Sequence, residues 1–138
     1  MLPDGSINPG EMTSFNHYSL GSVASWLHKV VGGLSPRSPG WQDILFKPRP
    51  GGSVRSASAS HLSPYGLIKC EWQLDDNDML NVTVEVPANS TGKVELPGIN
   101  ETIGSGRKTY SVQWKPESAW PPKSFQLPFG PPKPDVPV

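Results

Sequence analysis

Apolar residues recur along this 138-residue chain in two different rhythms. Between Ser14 and Val31 they return at threes and fours: Phe15, Val23, Trp26, Leu27, Val30 and Val31. That spacing predicts one long amphipathic helix with one buried face. Thr13 or Ser14 can cap its N-terminus. Gly32-Gly33 ends it, because a left-handed turn carries little steric penalty at glycine. A lone helix of this length needs a surface for its apolar face. A small β domain would serve, and so would an absent helical neighbour.

From Trp41 the rhythm drops to two. Ile44 and Phe46 alternate in a short strand that ends in Lys47-Pro48-Arg49-Pro50-Gly51-Gly52. Val54 to Leu62 reads as a weak, Ser/Ala-rich strand, followed by a turn at Ser63-Pro64-Tyr65-Gly66. Ile68, Cys70, Trp72 and Leu74 alternate without a break up to Asp75-Asp76-Asn77-Asp78. Leu80, Val82, Val84 and Val86 alternate up to Pro87-Ala88-Asn89. Val94 and Leu96 precede Pro97-Gly98, and a short strand lies near Thr102-Ile103. After Gly104-Ser105-Gly106 comes a last strand with Tyr110, Val112 and Trp114. About seven short strands with turn signals between them predict a mainly β protein, an antiparallel β-sandwich with one buried face per sheet.

Composition adds the ends of the picture. The 17 prolines and 14 glycines exceed the usual share. Eight of the prolines fall in the 23 residues from Pro116 onward, a Pro-rich tail expected to be extended or disordered. Residues 1 to 13 are a turn-rich lead-in. Twelve basic and twelve acidic residues leave no net charge. No nucleic-acid partner and no anionic membrane surface is expected, since both call for a basic face. No apolar run approaches the roughly 20 residues of a membrane-spanning helix. With one cysteine, Cys70, no internal disulfide can form, and its phase on a strand predicts a buried, inert thiol. No Cys/His pair has zinc spacing, so no metal is expected.

Asn81-Val82-Thr83, Asn89-Ser90-Thr91 and Asn100-Glu101-Thr102 are N-glycosylation sequons. They favour a secreted, extracellular parent, although the N-terminus lacks the basic and apolar regions of a signal peptide. The combination leads to the expectation that the front of a longer protein is missing.

The candidate chemistry is sparse. His17, between Asn16 and Tyr18, sits where the helix begins. The helix dipole there favours a neutral ring, which is either structural or part of a hydrogen-bonding cluster suited to a polyol. Glu11 could act as acid or base, or simply be solvated. Asp75 to Asp78 lacks the glycine and distal glutamate of a calcium loop and reads as a hairpin turn. Gly104-Ser105-Gly106 is not a phosphate loop, since no helix follows. Trp41, Trp72 and Trp114 could stack on sugars, but Trp72 and Trp114 are in phase with core positions. A glycosidase needs two carboxylates flanking the scissile bond, and no such pair emerges.

Beyond these patterns, the run from Met12 to Leu34, MTSFNHYSLGSVASWLHKVVGGL, resembles the end of the catalytic domain in the large α-L-rhamnosidases of glycoside hydrolase family 78. There a Met-Thr-Ser-Phe-Asn-His-Tyr run opens one of the last helices of an (α/α)6 barrel. The resemblance continues through Pro39-Gly40-Trp41, Ile44 to Pro50, Ser63-Pro64-Tyr65-Gly66, Trp72, Val84-Glu85-Val86-Pro87 and Gly104-Ser105-Gly106, which look like that family's C-terminal β-sandwich. It covers the chain to about Trp114.

The resemblance implies a cofactor-free hydrolase that releases terminal L-rhamnose from rhamnose-containing glycosides with inversion. It implies that His17 contacts rhamnose at the −1 subsite, with Asn16 and Tyr18 in support. Both catalytic carboxylates are expected upstream of Met1, and Glu11 does not match the catalytic base. On this reading residues 1–35 end the glycosidase barrel, 36–115 form the C-terminal β-sandwich and 116–138 are the tail. The fragment is expected to be inactive alone, with the missing barrel as its partner. The alternative is a non-catalytic sandwich module that binds carbohydrate or braces a glycosidase.

Overall fold

The computed structural model describes residues 4–6 and 18–115. Two four-stranded sheets face each other across one apolar core. The first sheet has the order β1-β2-β6-β7, from β1 (Leu34–Pro36), β2 (Asp43–Phe46), β6 (Thr91–Leu96) and β7 (Ile99–Ile103). The second has the order β3-β4-β5-β8, from β3 (Ser56–Ser63), β4 (Gly66–Leu74), β5 (Met79–Val86) and β8 (Gly106–Gln113). The mainly β sandwich predicted by period-two alternation is present.

In β4 and β5 every second residue is buried: Ile68, Cys70 and Trp72, then Leu80, Val82, Val84 and Val86. Cross-strand partners such as Cys70 and Val84, or Trp72 and Val82, share the inward face. Fully burying a side chain of this kind stabilises the fold by roughly 1.5–3 kcal/mol. The turn between these strands is closed by Asp75, whose carboxylate accepts hydrogen bonds from the Asn77 and Met79 N–H groups, both at 2.9 Å. The Asp75 to Asp78 segment is thus a hairpin turn. The turn from β6 to β7 has Pro97 followed by Gly98 at φ 75°, the order that suits a type II turn.

The first sheet departs from the expected pattern in two ways. Leu34–Pro36 forms an additional strand paired with β2, and Leu34 is fully buried. A three-residue strand ending in proline carries too little alternation to be seen in sequence. In addition, β2 pairs with β6 in parallel, Ile44 opposite Gly92 and Phe46 opposite Val94. The sandwich is therefore antiparallel except at this one pair. Gly92 is required there, because a Cβ on it would stand 2.7 Å from the Phe46 ring.

The helical segment differs more. In place of one continuous α-helix, the described part winds as a 3₁₀ turn at Tyr18–Gly21, an α-turn at Ser22–Trp26 and a π-turn at Leu27–Val31. The Gly32 N–H donates to the Leu27 carbonyl at 2.7 Å, which closes the wide π-turn. Its apolar stripe is only half used. Val30 and Val31 are half-buried, whereas Val23, Trp26 and Leu27 are exposed. Gly33, at φ 71°, then reverses the chain into β1. The expected capping residues, Thr13 and Ser14, the helix residue Phe15 and the Pro-rich tail lie outside the described residues.

Cys70 is buried between the sheets, and burial, with a smaller contribution from the Glu71 charge, pushes its thiol up to about 12. At pH 8 the native chain should not react with Ellman's reagent, whereas urea-unfolded chain should release one equivalent. Native reactivity at the unfolded rate would contradict the buried position.

Two glycines with similar φ separate conformational from steric demands. At Gly33 a Cβ would lie 2.3 Å from the Pro48 nitrogen, while at Gly98 nothing lies within 4 Å. Gly98→Ala should cost about 1–2 kcal/mol in urea unfolding, from the left-handed backbone alone. Gly33→Ala should cost more than about 3 kcal/mol because a backbone clash is added. Equal losses would show that the close approach to Pro48 is absent in solution.

Candidate functional site

Two regions gather polar and aromatic groups. The first is the joint between the helical segment and the sandwich. The buried Trp72 ring N–H donates to the Val31 carbonyl at 2.7 Å, tying the last helical turn to β4. His28 places Nδ1 3.0 Å from the Leu34 carbonyl oxygen and Nε2 3.4 Å from the Ser60 carbonyl oxygen. Both partners are acceptors, and a neutral ring can donate to only one of them. Trp41 stacks on His61 with ring centres 4.0 Å apart and meets His28 edge-on at 6.3 Å. Trp41 holds φ 65° directly after Gly40 at φ 80°. A left-handed conformation is strained for a bulky residue, and here it lays the indole over β3.

The second region is a cleft of about 550 Å³ at one end of the sandwich, lined among others by Lys47, Arg49, Glu95, Ile99, Asn100 and Trp114. The Lys47 ammonium donates to the Glu95 carboxylate at 2.5 Å. That hydrogen bond, ahead of the charges of Lys47, Lys93 and Arg37, holds the Glu95 carboxyl below the usual carboxylate range. Glu101 is held low in the same way, first by Lys108 at 2.6 Å and then by the Tyr110 hydroxyl at 2.5 Å. Burial, then the bond to Glu101, raises the Tyr110 hydroxyl to about 12. Glu71 is lowered first by its hydrogen bond from Lys69, and Asp4 by Ser6.

A general acid working near neutral pH needs the opposite shift. Each carboxyl with a shift among the described residues is instead stabilised as an anion. Those residues include no group of three or more His, Cys, Asp or Glu side chains arranged to hold a metal ion. None of their helices is long and apolar enough to cross a membrane.

The residues singled out in the sequence are distributed unevenly. His17, Asn16 and Glu11 lie outside the described residues, and Tyr18 opens the 3₁₀ turn. Asn81, Asn89 and Asn100 are all exposed, on β5, in the β5–β6 turn and on β7. The three tryptophans do not form a shared platform, because Trp72 is buried in the core. Trp41 belongs to the helix joint and Trp114 to the cleft. Sequence reading missed His28, His61 and the Lys47–Glu95 pair. His28 meets Ser60 across 32 positions and Lys47 meets Glu95 across 48, so no local spacing could join them.

Residues 33–119 match the family model described as the bacterial alpha-L-rhamnosidase C-terminal domain. An alpha-L-rhamnosidase of Streptomyces avermitilis is 39% identical over 95 residues, which is 69% of this chain and 9% of that protein. The crystal structure of native alfa-L-rhamnosidase from Aspergillus terreus superposes with a TM-score of 0.73 at 50% identity, covering 82% of this chain and 13% of that one. The Streptomyces avermitilis enzyme complexed with L-rhamnose gives 0.69 at 32% identity, over 80% of this chain and 12% of that one. The chain thus spans about a tenth of the length of the relatives it matches. With eight strands in two facing sheets and this match over most of its described length, the chain belongs to the alpha-L-rhamnosidase C-terminal domain family.

Proposed function

We propose that this chain serves as the C-terminal part of an inverting α-L-rhamnosidase, a glycoside hydrolase that releases terminal L-rhamnose. The match of residues 33–119 to that family's C-terminal domain carries the reading. Inverting hydrolysis needs one carboxylic acid to protonate the leaving oxygen and one carboxylate to activate water. Glu71, Glu95 and Glu101 are each held low by lysine contacts, which does not suit a general acid, and Glu11 does not match the family's catalytic base, so we assign both catalytic carboxylates to the remainder of such a protein. His17 is assigned a hydrogen bond to a rhamnose hydroxyl in the complete enzyme, with Asn16 and Tyr18 supporting it.

The helical segment favours a bracing role for the sandwich. Trp72 and His28 fasten its last turns to β4, β1 and β3. Meanwhile Val23 and Trp26, each 54% exposed, and Leu27, 48% exposed, point away from the core. An apolar stripe of this kind marks a contact surface. We assign residues 1–35 to the end of a helical barrel that would cover the stripe, 36–115 to the sandwich and 116–138 to a tail.

The isolated chain should not hydrolyse p-nitrophenyl α-L-rhamnoside. Turnover that disappears in Glu11→Gln would overturn the assignment of both carboxylates elsewhere. The uncovered stripe should make the chain self-associate in sedimentation velocity at tens of micromolar, and replacing Val23, Trp26 and Leu27 with glutamine should restore a monomer. A wild-type chain that is monodisperse at that concentration would count against the barrel-docking role.

A further inference from the structure

The end cleft is separate from the stripe assigned to barrel docking, and its chemistry does not depend on the rhamnosidase reading. It lies where the chain leaves β2, turns from β6 into β7 and leaves β8. We propose that it is a saccharide-binding site, taking a pyranose unit with neighbouring hydroxyl groups.

One wall is apolar. Trp114 is half-buried and packs with Ile99 against the core. Its backbone is pinned: the Trp114 N–H donates to the Asp78 carbonyl at 2.8 Å. The Gln113 side-chain amide donates to the carbonyls of Asn77 and Asp78 at 3.1 and 3.2 Å. The backbone that carries the indole is therefore held before any ligand arrives, which lowers the entropy lost on binding.

The other wall is polar and ordered. Lys47 and Glu95 hold one another at 2.5 Å, yet their side chains remain 41% and 31% exposed. The ammonium has three donors and the carboxylate about four acceptor sites, and their mutual bond occupies one of each. What remains is a donor and an acceptor side by side.

A pyranose matches both walls. Its C–H face can lie on the indole, while one hydroxyl donates to Glu95 and its neighbour accepts from Lys47. Lys47, Arg49 and Lys115 line the cleft beside Glu95, so a sugar that also bears a carboxylate fits its charge, whereas a purely apolar ring would leave the ion pair without its water partners. The volume of about 550 Å³ falls within the usual range for small-ligand clefts.

The test is an NMR titration of the isotope-labelled 138-residue chain from a bacterial host. The probes are L-rhamnose, D-glucose, D-galactose and cellobiose, with cyclohexanol as an apolar ring lacking vicinal hydroxyls. At least one saccharide should shift the Trp114 indole N–H and the Lys47 and Glu95 amides, with half-saturation below about 10 mM. Cyclohexanol should leave them unmoved. Lys47→Met and Glu95→Gln should each weaken the response about tenfold or more. These two variants decide the matter, since Trp114→Ala would also disturb the core. No shift with any saccharide up to about 50 mM would overturn the assignment. So would an equal response to cyclohexanol, or a response unchanged in both variants.

Discussion

The placement of the helical segment depends on how closely the backbone at Gly32-Gly33 approaches both sheets. A Cβ on Gly32 would stand 2.6 Å from the Ala59 Cβ on β3, and one on Gly33 would stand 2.3 Å from the Pro48 nitrogen after β2. Only residues without a side chain allow that approach. Once it is made, the Lys47 N–H reaches the Gly33 carbonyl at 2.8 Å and the Arg49 N–H reaches the Val30 carbonyl at 3.1 Å. Trp72 on β4, which donates to the Val31 carbonyl, and the Ser60 carbonyl on β3, which His28 meets, then complete the joint from the second sheet. The helix is thus fastened at its C-terminal end to the core, while Val23, Trp26 and Leu27 in its earlier turns stay in solvent.

That asymmetry links energetics to function. The core is closed on its own terms, with Phe46, Ile68, Leu80, Val82 and Val94 fully buried. A sandwich of this kind does not need the exposed stripe of Val23, Trp26 and Leu27 for its stability. The stripe lies outside that core. The surface chemistry is of the same kind. Its lysines and carboxylates neutralise one another pairwise, Lys47 with Glu95, Lys69 with Glu71 and Lys108 with Glu101. Such exposed pairs add little stability, but they keep carboxylates ionised, and one of them, Lys47 with Glu95, lines the cleft.

Legibility followed the range of the interaction. Strands β4 and β5 were readable because each inward residue is apolar and each outward one mostly polar, a pattern carried by neighbours two positions apart. The turns at Asp75 to Asp78 and Pro97-Gly98 were readable because their side chains and φ preferences act locally. The strand at Leu34–Pro36 was not, since it exists through pairing with β2 rather than through its own alternation. The helix was readable as an apolar stripe, but its winding and its half-exposed face depend on what stands beside it.

By itself the sequence determined the period-two core, the glycine reversal after the helix, the inert thiol at Cys70 and, through a set of ordered blocks, the family. Each depends on residue type at short spacing or on residues lying in order along the chain. The tertiary structure alone decided the parallel pairing of β2 with β6, the stacking of Trp41 on His61 and the meeting of Lys47, Glu95, Ile99 and Trp114 around one cleft. Those contacts join positions tens of residues apart. Their formation depends on how two twisted sheets pack, which no local pattern of hydrophobic and polar residues encodes.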